Sequence, residues 1–368
     1  MKIGIDASRY ADNEATGVEW YSYHIINGLI DELSGKKSHE LVLYSRNKVG
    51  IKGVKNKVLP AKRLWTLWTL SREMKHDPPD VLFVPSHVLP LHLPKKSVIM
   101  IHDVAFKHLR KSYSFFQYHY LNWSTKFAVR NATKIIVPSE ATRKDLVKFF
   151  KCPKEKIEVV HHGFTAPEVS DKEIDQVMEN SEVFKYFEIT KDSPYILFVG
   201  RLESKKNLVR LVEAFDKFRE SHPEYRLVLA GKRGVGFEQL LRAVSHLKMA
   251  NSVIMPGYVT EIEKAALYKY CEVFAFPSLY EGFGLPILEA FHHKKPVLTS
   301  HFSCLPEVAG DGAYYVDPYD REVMTAALER LVDDKDFAKK LVHLGTERLK
   351  SFTWKKAANQ TLKIITNG

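Results

Sequence analysis

Short, continuous apolar runs recur along the chain, separated by longer amphipathic stretches. In the first half they are "KIGIDAS" (2–8), "ELVLYSR" (40–46), "VLFVPS" (81–86), "SVIMIHD" (97–103), "KIIVPS" (134–139) and "IEVVHH" (157–162). In the second they are "YILFVG" (195–200), "YRLVLAG" (225–231), "SVIMPGY" (252–258), "VFAFPS" (273–278) and "PVLTS" (296–300). A run that is apolar at every position and bounded by Gly, Pro or Ser reads as a parallel strand covered by helices on both faces. The pattern therefore predicts two doubly wound α/β domains in series. Helix starts are marked by Ser139 before "EATRKDLVKFF", Asn207 before "LVRLVEAFDKF" and Pro286 before "ILEAFHHKK", each suited to an N-cap or first turn. The polar stretch "TAPEVSDKEIDQVMENSEVFKYFEITKDSP" predicts a linker with a surface helix, and puts the domain boundary near Phe164.

Length agrees with this division, since 368 residues exceed what one core usually organises. No segment reaches the roughly 18 unbroken apolar residues of a membrane span. The opening "MKIGIDASRY" carries Asp6 early, unlike a signal peptide, and reads as the first strand. Cys152, Cys271 and Cys304 lie far apart without CxxC spacing, so neither a disulfide framework nor a zinc site is indicated. A soluble protein of the reducing cytoplasm is expected.

Charge is uneven. Residues 1–165 hold 27 Lys and Arg against 15 Asp and Glu, and the remainder 28 against 29. The excess of the first half suits nucleic acid, an anionic membrane surface, a phosphorylated acceptor or simple solubility, and by itself separates none of them.

Open parallel sheets bind ligands outside the carboxyl ends of their strands, so with two such domains the site is expected in the cleft between them. The stretch "PSLYEGFGLPILEAF" (277–291) places Glu281 in a strand-to-helix loop and Glu289 about one turn into the helix. Gly282 and Gly284 allow close backbone approach, and the free N–H groups of the helix start favour an oxygen-rich anionic ligand. Two carboxylates there suit the hydroxyls of a sugar; the plainer alternative is a surface loop with a helix-stabilising Glu289. In "YILFVGRLESKKN", Arg201 and Lys206 follow a strand and precede a helix, a placement suited to phosphate oxygens, with Lys205 one slip away. "AGKRGVG" (230–236) is glycine-rich without being a dinucleotide fingerprint, and "DDKD" with Asp334 and Asp336 reads as helix-capping charge.

Taken together, "GRLESKKN", the paired glutamates of "EGFGLPILE" and "SCLPEVAGDGAYYVDPYD" resemble the retaining nucleotide-sugar glycosyltransferases of the GT-B fold, in the large family numbered four, and most of all its bacterial mannosyltransferase-type members. "TGVEWYSYHI", "IHDVAF", "VPSEATRKDL" and "FTWKKAANQTL" extend the likeness over nearly the whole chain. The resemblance implies an acceptor domain over 1–164, a donor domain over 165–350 and a final helix over 351–368 that returns to the first. It implies that Arg201 and Lys206 bind the donor diphosphate, that Glu281 with the backbone of Phe283, Gly284 and Leu285 holds the hexose, and that Glu289 takes the ribose hydroxyls. Gly257, Tyr258 and Val259 would flank the base, Gly200 and Gly231 would line the donor pocket, and Gly17 would let its loop approach the phosphates. His102 matches a histidine near the transferred sugar, with Asp103 beside it, although a strand-end histidine is commonly a structural hydrogen-bonder. Domain closure would bring Gly17, His102 and Asp103 against the donor.

The expectation is a metal-independent, cofactor-free enzyme. It would transfer a hexose from a nucleotide-diphosphate sugar, GDP-mannose in preference to UDP-sugars, to a saccharide or lipid-linked saccharide in cell-surface polysaccharide synthesis. A nucleotide-sugar epimerase of the same fold and a basic nucleic-acid-binding protein are the rivals, although no nucleic-acid module is recognisable. Two stretches, "KRLWTLWTLSREMK" (62–75) with Leu64, Trp65, Leu67 and Trp68 on one broad face, and "FKHLRKSYSFFQYHYLNW" (106–123), read either as core-facing helices or as a peripheral contact with the inner face of the cytoplasmic membrane. A Glu281→Ala variant is expected to lose transfer and keep its fold.

Overall fold

The computed structural model describes residues 1–10, 17–34, 39–51, 53–61 and 63–367. They form two compact units, Met1–Gly163 with Phe352–Gly368, and Phe164–Ser351.

The first unit is built on seven parallel strands: β1 (Lys2–Asp6), β2 (Glu40–Ser45), β3 (Lys55–Val58), β4 (Val81–Val84), β5 (Lys96–Met100), β6 (Lys134–Val137) and β7 (Ile157–Val159), in the order β3-β2-β1-β4-β5-β6-β7. Continuous apolar runs are needed because both faces are covered. In β4, Val81 and Phe83 pack with Ile25, Ile26 and Leu29 of the helix Gly17–Leu33, while Leu82 and Val84 pack with Trp65, Leu70 and Leu146 on the other side. The closing helix Trp354–Asn367 lies along Gly17–Leu33, burying Ala357, Ala358, Leu362 and Ile365 in the same core as Ile25 and Leu29. Its entry needs a residue without a side chain at 163, because a Cβ on Gly163 would stand 2.2 Å from the Trp354 nitrogen.

The second unit carries β8 (Tyr195–Val199), β9 (Arg226–Ala230), β10 (Val253–Gly257), β11 (Val273–Phe276), β12 (Val297–Ser300) and β13 (Ala313–Val316), all parallel, in the order β10-β9-β8-β11-β12-β13. Every residue of β8 and β11 is buried. Among the described residues no helix is long and apolar enough to cross a membrane.

Several expectations change. β3 and β13 escape the sequence pattern. The first, "KNKV", is a sheet-edge strand with no fully buried residue, so nothing selects for an apolar run. The stretch after Phe164 forms two helices, Asp171–Asn180 and Glu182–Tyr186, the first opened by a capping box of Ser170 and Glu173. The Asp171–Asn180 helix buries Ile174 and Met178 and is tied by Asp175 to Lys269 at 2.5 Å, while Ser181 bonds Glu263 at 2.7 Å, so the segment belongs to the body of the second unit rather than to a linker. Asn207 stands at the N-cap position with φ of +63°, but its side chain makes no cap; the amide donates to the Pro318 carbonyl at 2.6 Å. Ser139 does cap, accepting from the Thr142 N–H.

The segment from Leu64 does not present one broad face. Residues Trp65–Leu70 wind as a π-helix, in which positions five apart align, so Trp65 and Leu70 are buried while Trp68 is 66% exposed. The Trp65 indole N–H donates to the Leu59 carbonyl, fixing it in the core. Lys62 lies outside the described residues, as does Thr16 of the "TGVEWYSYHI" stretch.

Candidate active site

In the second sheet the strand order reverses between β8 and its hydrogen-bonded neighbour β11: β9 and β10 continue to one side, β12 and β13 to the other. The loops leaving two such strands diverge, and the crevice they open is where an α/β sheet takes a ligand. Arg201 and Lys206 leave β8, and Glu281 leaves β11. The expected residues thus come from the two strands that flank the switch point.

The turn Ser204–Lys206 and the left-handed Asn207 behind it swing Lys206 inward, where it is 9% exposed. Its ammonium meets the Glu281 carboxylate at 2.5 Å and lies 4.9 Å from the centroid of the Phe276 ring. Glu281 is 8% exposed. A pair so far removed from water persists only because each charge neutralises the other. The ammonium has three N–H donors and spends one on Glu281, which leaves donors for an anion arriving from solvent. Lys205 points elsewhere, pairing with Glu203 at 3.4 Å, while its carbonyl accepts from the Leu279 N–H at 2.8 Å and so ties the two loops together. Lys206 rather than Lys205 is therefore the cation of the crevice. Arg201 is exposed at the start of the same loop.

Glu281 is held from below by residues that the sequence reading did not single out. Ser303 Oγ donates to the Glu281 carbonyl at 2.6 Å, and Cys304 Sγ lies 3.2 Å from that oxygen and 3.0 Å from the Phe283 carbonyl. Burial, and then the nearby Glu281, push the Cys304 thiol well above its usual range, so it stays a protonated donor. The only sequence signal was the "SCLPE" string, whose role depends on β12 lying beside β11. Phe283 is buried, and Gly284 takes φ of +109° at the N-cap of the helix Leu285–His292, with Pro286 in its first turn. This conformation suits glycine, and the Gly284 carbonyl accepts from the Ile287 N–H at 3.1 Å.

Glu289 lies one turn along that helix and does not reach Lys206 or Glu281 in any hydrogen bond; its partners come from the helix Glu261–Tyr270. Lys264 Nζ donates to Oε1 at 2.8 Å and the Tyr268 hydroxyl to Oε2 at 2.9 Å. Burial alone would lower the Lys264 pKa, but Glu289 and Glu261 beside it outweigh that and raise it above the usual lysine value.

Gly200 and Gly231 directly follow β8 and β9, and Gly257 is the last residue of β10. The Gly200 N–H donates to the Ala230 carbonyl at 2.9 Å and the Gly231 N–H to the Gly257 carbonyl at 2.7 Å. A Cβ on Gly231 would fall 1.9 Å from the Gly200 carbonyl oxygen, so bare backbone is obligatory there. Tyr258 beyond them is 49% exposed with the Lys232 ammonium 4.4 Å from its ring centroid, and Val259 is buried. Asp334 caps the helix Lys335–Leu349 by accepting from the Phe337 N–H at 2.9 Å.

Gly17, His102 and Asp103 belong to the first unit. Gly17 opens the helix Gly17–Leu33, and among the described residues no atom lies within 4 Å of where a Cβ on it would stand. His102 follows β5, is 8% exposed, and its Nε2 lies 3.0 Å from the Pro85 carbonyl, which fixes Nε2 as the protonated nitrogen. Burial, with His87 adding to it, pushes its pKa down to about 3, so the ring is neutral. Asp103 Oδ1 accepts from the Ala105 N–H at 2.9 Å and closes the turn into the next helix.

The chain is similar to known proteins over most of its length. The model described as Glycosyl transferases group 1 matches residues 179–348, and that described as Glycosyltransferase Family 4 matches residues 16–166. The O-antigen chain mannosyltransferase B of Escherichia coli is 26% identical over 304 residues, 82% of this chain and 76% of the relative. Among solved structures, sucrose-phosphate synthase from Thermosynechococcus elongatus superposes with a TM-score of 0.76 at 17% identity, over 100% of this chain and 98% of that one. The Anabaena protein Alr3699/HepE, solved with UDP-glucose, superposes with a TM-score of 0.72 at 15% identity, over 100% and 99%. Together the two models span most of the chain, which belongs to glycosyltransferase family 4, the group 1 glycosyl transferases, and is a glycosyltransferase of the GT-B class.

Proposed function

We propose that the protein transfers mannose from GDP-mannose, in preference to a UDP-sugar, onto a saccharide or lipid-linked saccharide in the assembly of a cell-surface polysaccharide, with retention at the anomeric carbon and without a metal ion. The observation that carries the reading is the buried Lys206–Glu281 pair at the switch point, which offers ammonium donors for phosphate oxygens next to a carboxylate for sugar hydroxyls. The mannosyl assignment follows the similarity to the O-antigen chain mannosyltransferase B of Escherichia coli, which spans most of both chains.

In this reading Lys206 and the exposed Arg201 hold the diphosphate and stabilise the negative charge that grows on it as the glycosidic C–O bond breaks. Glu281 and the backbone of Phe283, Gly284 and Leu285 orient the hexose, and Glu289 takes the ribose. The acceptor oxygen bonds to the anomeric carbon on the face from which the diphosphate departs, and its proton passes to a leaving phosphate oxygen. Neither glutamate acts as a nucleophile. Two cations at the diphosphate make a metal unnecessary. Lipid contact is assigned to the helix Phe115–Asn131, where the exposed Phe116, Tyr120 and Trp123 form a stripe at helical spacing beside Lys126 and Arg130.

The test is thermal unfolding against a panel of nucleotide sugars, followed by transfer assays with EDTA. GDP-mannose at a hundredfold excess over its Kd should stabilise the protein by about 2.7 kcal/mol. Transfer should survive EDTA, and the product anomer, read by NMR, should keep the donor's configuration. A shift with UDP-sugars alone would reject the donor, and no shift with any nucleotide sugar would reject the reading.

A further inference from the structure

Both oxygens of the Glu289 carboxylate are engaged by side chains of a neighbouring helix. We infer that Lys264 and Tyr268 are positioning residues that fix the Glu289 carboxylate so that its remaining lone pairs face a vicinal diol, and thereby set the enzyme's preference for ribonucleotide over deoxyribonucleotide donors. The inference rests on the reading of Glu289 as the ribose ligand.

A carboxylate has about four acceptor positions, two on each oxygen. Lys264 occupies one on Oε1 and the Tyr268 hydroxyl one on Oε2, leaving one on each. Two acceptors at carboxylate spacing match the two adjacent hydroxyls of a ribose, and the grip is bidentate only if the carboxylate cannot rotate. Rotation is blocked from both sides. Tyr268 is 1% exposed, its ring lies parallel to the His293 imidazole at 5.6 Å with a 1° interplanar angle, and it rests against Phe274 at 5.2 Å. Its hydroxyl lies nearer to Glu289 than to the Pro286 carbonyl, at 2.9 Å against 3.3 Å, so its single proton serves the carboxylate. Lys264 bridges Glu289 and Glu261, each at 2.8 Å. The ammonium, 2.8 Å from Oε1, offsets the repulsion an isolated carboxylate would exert on a nucleoside diphosphate.

The experiment is calorimetric titration of the whole protein with GDP and UDP and with their 2′-deoxy and 2′,3′-dideoxy forms. Wild-type protein should bind the ribo form of its preferred nucleotide about tenfold or more tighter than the dideoxy form, as expected for hydrogen bonds to a charged acceptor. In Tyr268→Phe and Lys264→Met the ribo form should weaken toward the dideoxy form, whose affinity stays at the wild-type level, and Lys264→Arg should retain the wild-type ratio. Tyr268→Phe keeps the ring stack and decides the matter if Lys264→Met does not fold. If both variants keep the wild-type ratio, the positioning role is overturned while the ribose reading stands. If wild-type protein shows no preference at all, the ribose reading falls and takes this inference with it.

Discussion

Replacing Glu281 by leucine removes one half of an ion pair whose side chains are 11% and 10% exposed, and strands the Lys206 ammonium in a setting it cannot leave without rebuilding its turn. Breaking a buried pair from one side costs about 3–5 kcal/mol, because the surviving charge keeps its desolvation penalty and loses its partner. The same holds for Lys206→Met seen from the carboxylate. Substituting both together removes both charges, and apolar replacements of similar volume are often neutral, so the double variant should unfold within about 1 kcal/mol of wild type. The coupling between the two positions is then about 5 kcal/mol or more, far above the ~0.5 kcal/mol of independent sites. Scanning calorimetry of the ligand-free protein reads this directly, since each kcal/mol moves the midpoint of a unit this size by about 2–4 °C. Transfer should be lost in all three variants, including the one whose stability returns. Additive losses would refute the account of the pair as mutually neutralising, and restored transfer in the double variant would refute its place in the chemistry. Glu281→Ala leaves the same buried, unmatched Lys206, so its stability is expected to fall together with its activity; the double variant isolates the chemistry.

Acid should loosen the first unit through its buried histidines. His102 is pushed down to about 3 and His24 to about 4, both by burial, and His87 and His162 are lowered for the same reason. A folded-state pKa below the unfolded value means that the unfolded chain binds more protons, so stability is full above about pH 6.5 and falls as pH drops from there; His102 alone removes about 3 kcal/mol by pH 4. Asp6, whose pKa is raised by burial, works the other way at the acid end. A melting temperature that is flat between pH 7 and pH 5 would contradict this. For the lipid contact, sedimentation with phosphatidylglycerol vesicles should exceed that with phosphatidylcholine and fall when Phe116 and Trp123 are both changed to alanine; equal sedimentation on both lipids would remove the membrane from the proposal.

The chain's own pattern was sufficient for most of the architecture. A strand such as β8 or β11 is buried on both faces, so burial imposes an uninterrupted apolar run that reads locally, and all eleven runs fall on strands. Residues that follow those strands, Arg201, Lys206, Glu281 and Glu289, were legible because glycines, a Pro286 helix start and charge stand together in sequence. Tertiary structure alone decided which of two adjacent lysines turns inward, because that depends on a left-handed Asn207 anchored to the Pro318 carbonyl. It also decided that Glu281 is supported by Ser303 and Cys304, and Glu289 by Lys264 and Tyr268, partners brought close only by strand order and helix packing. Edge strand β3 and the split between a buried Trp65 and an exposed Trp68 belong with these. Burial on both faces writes itself into consecutive residues, whereas a side-chain contact between distant segments leaves no local periodicity to read.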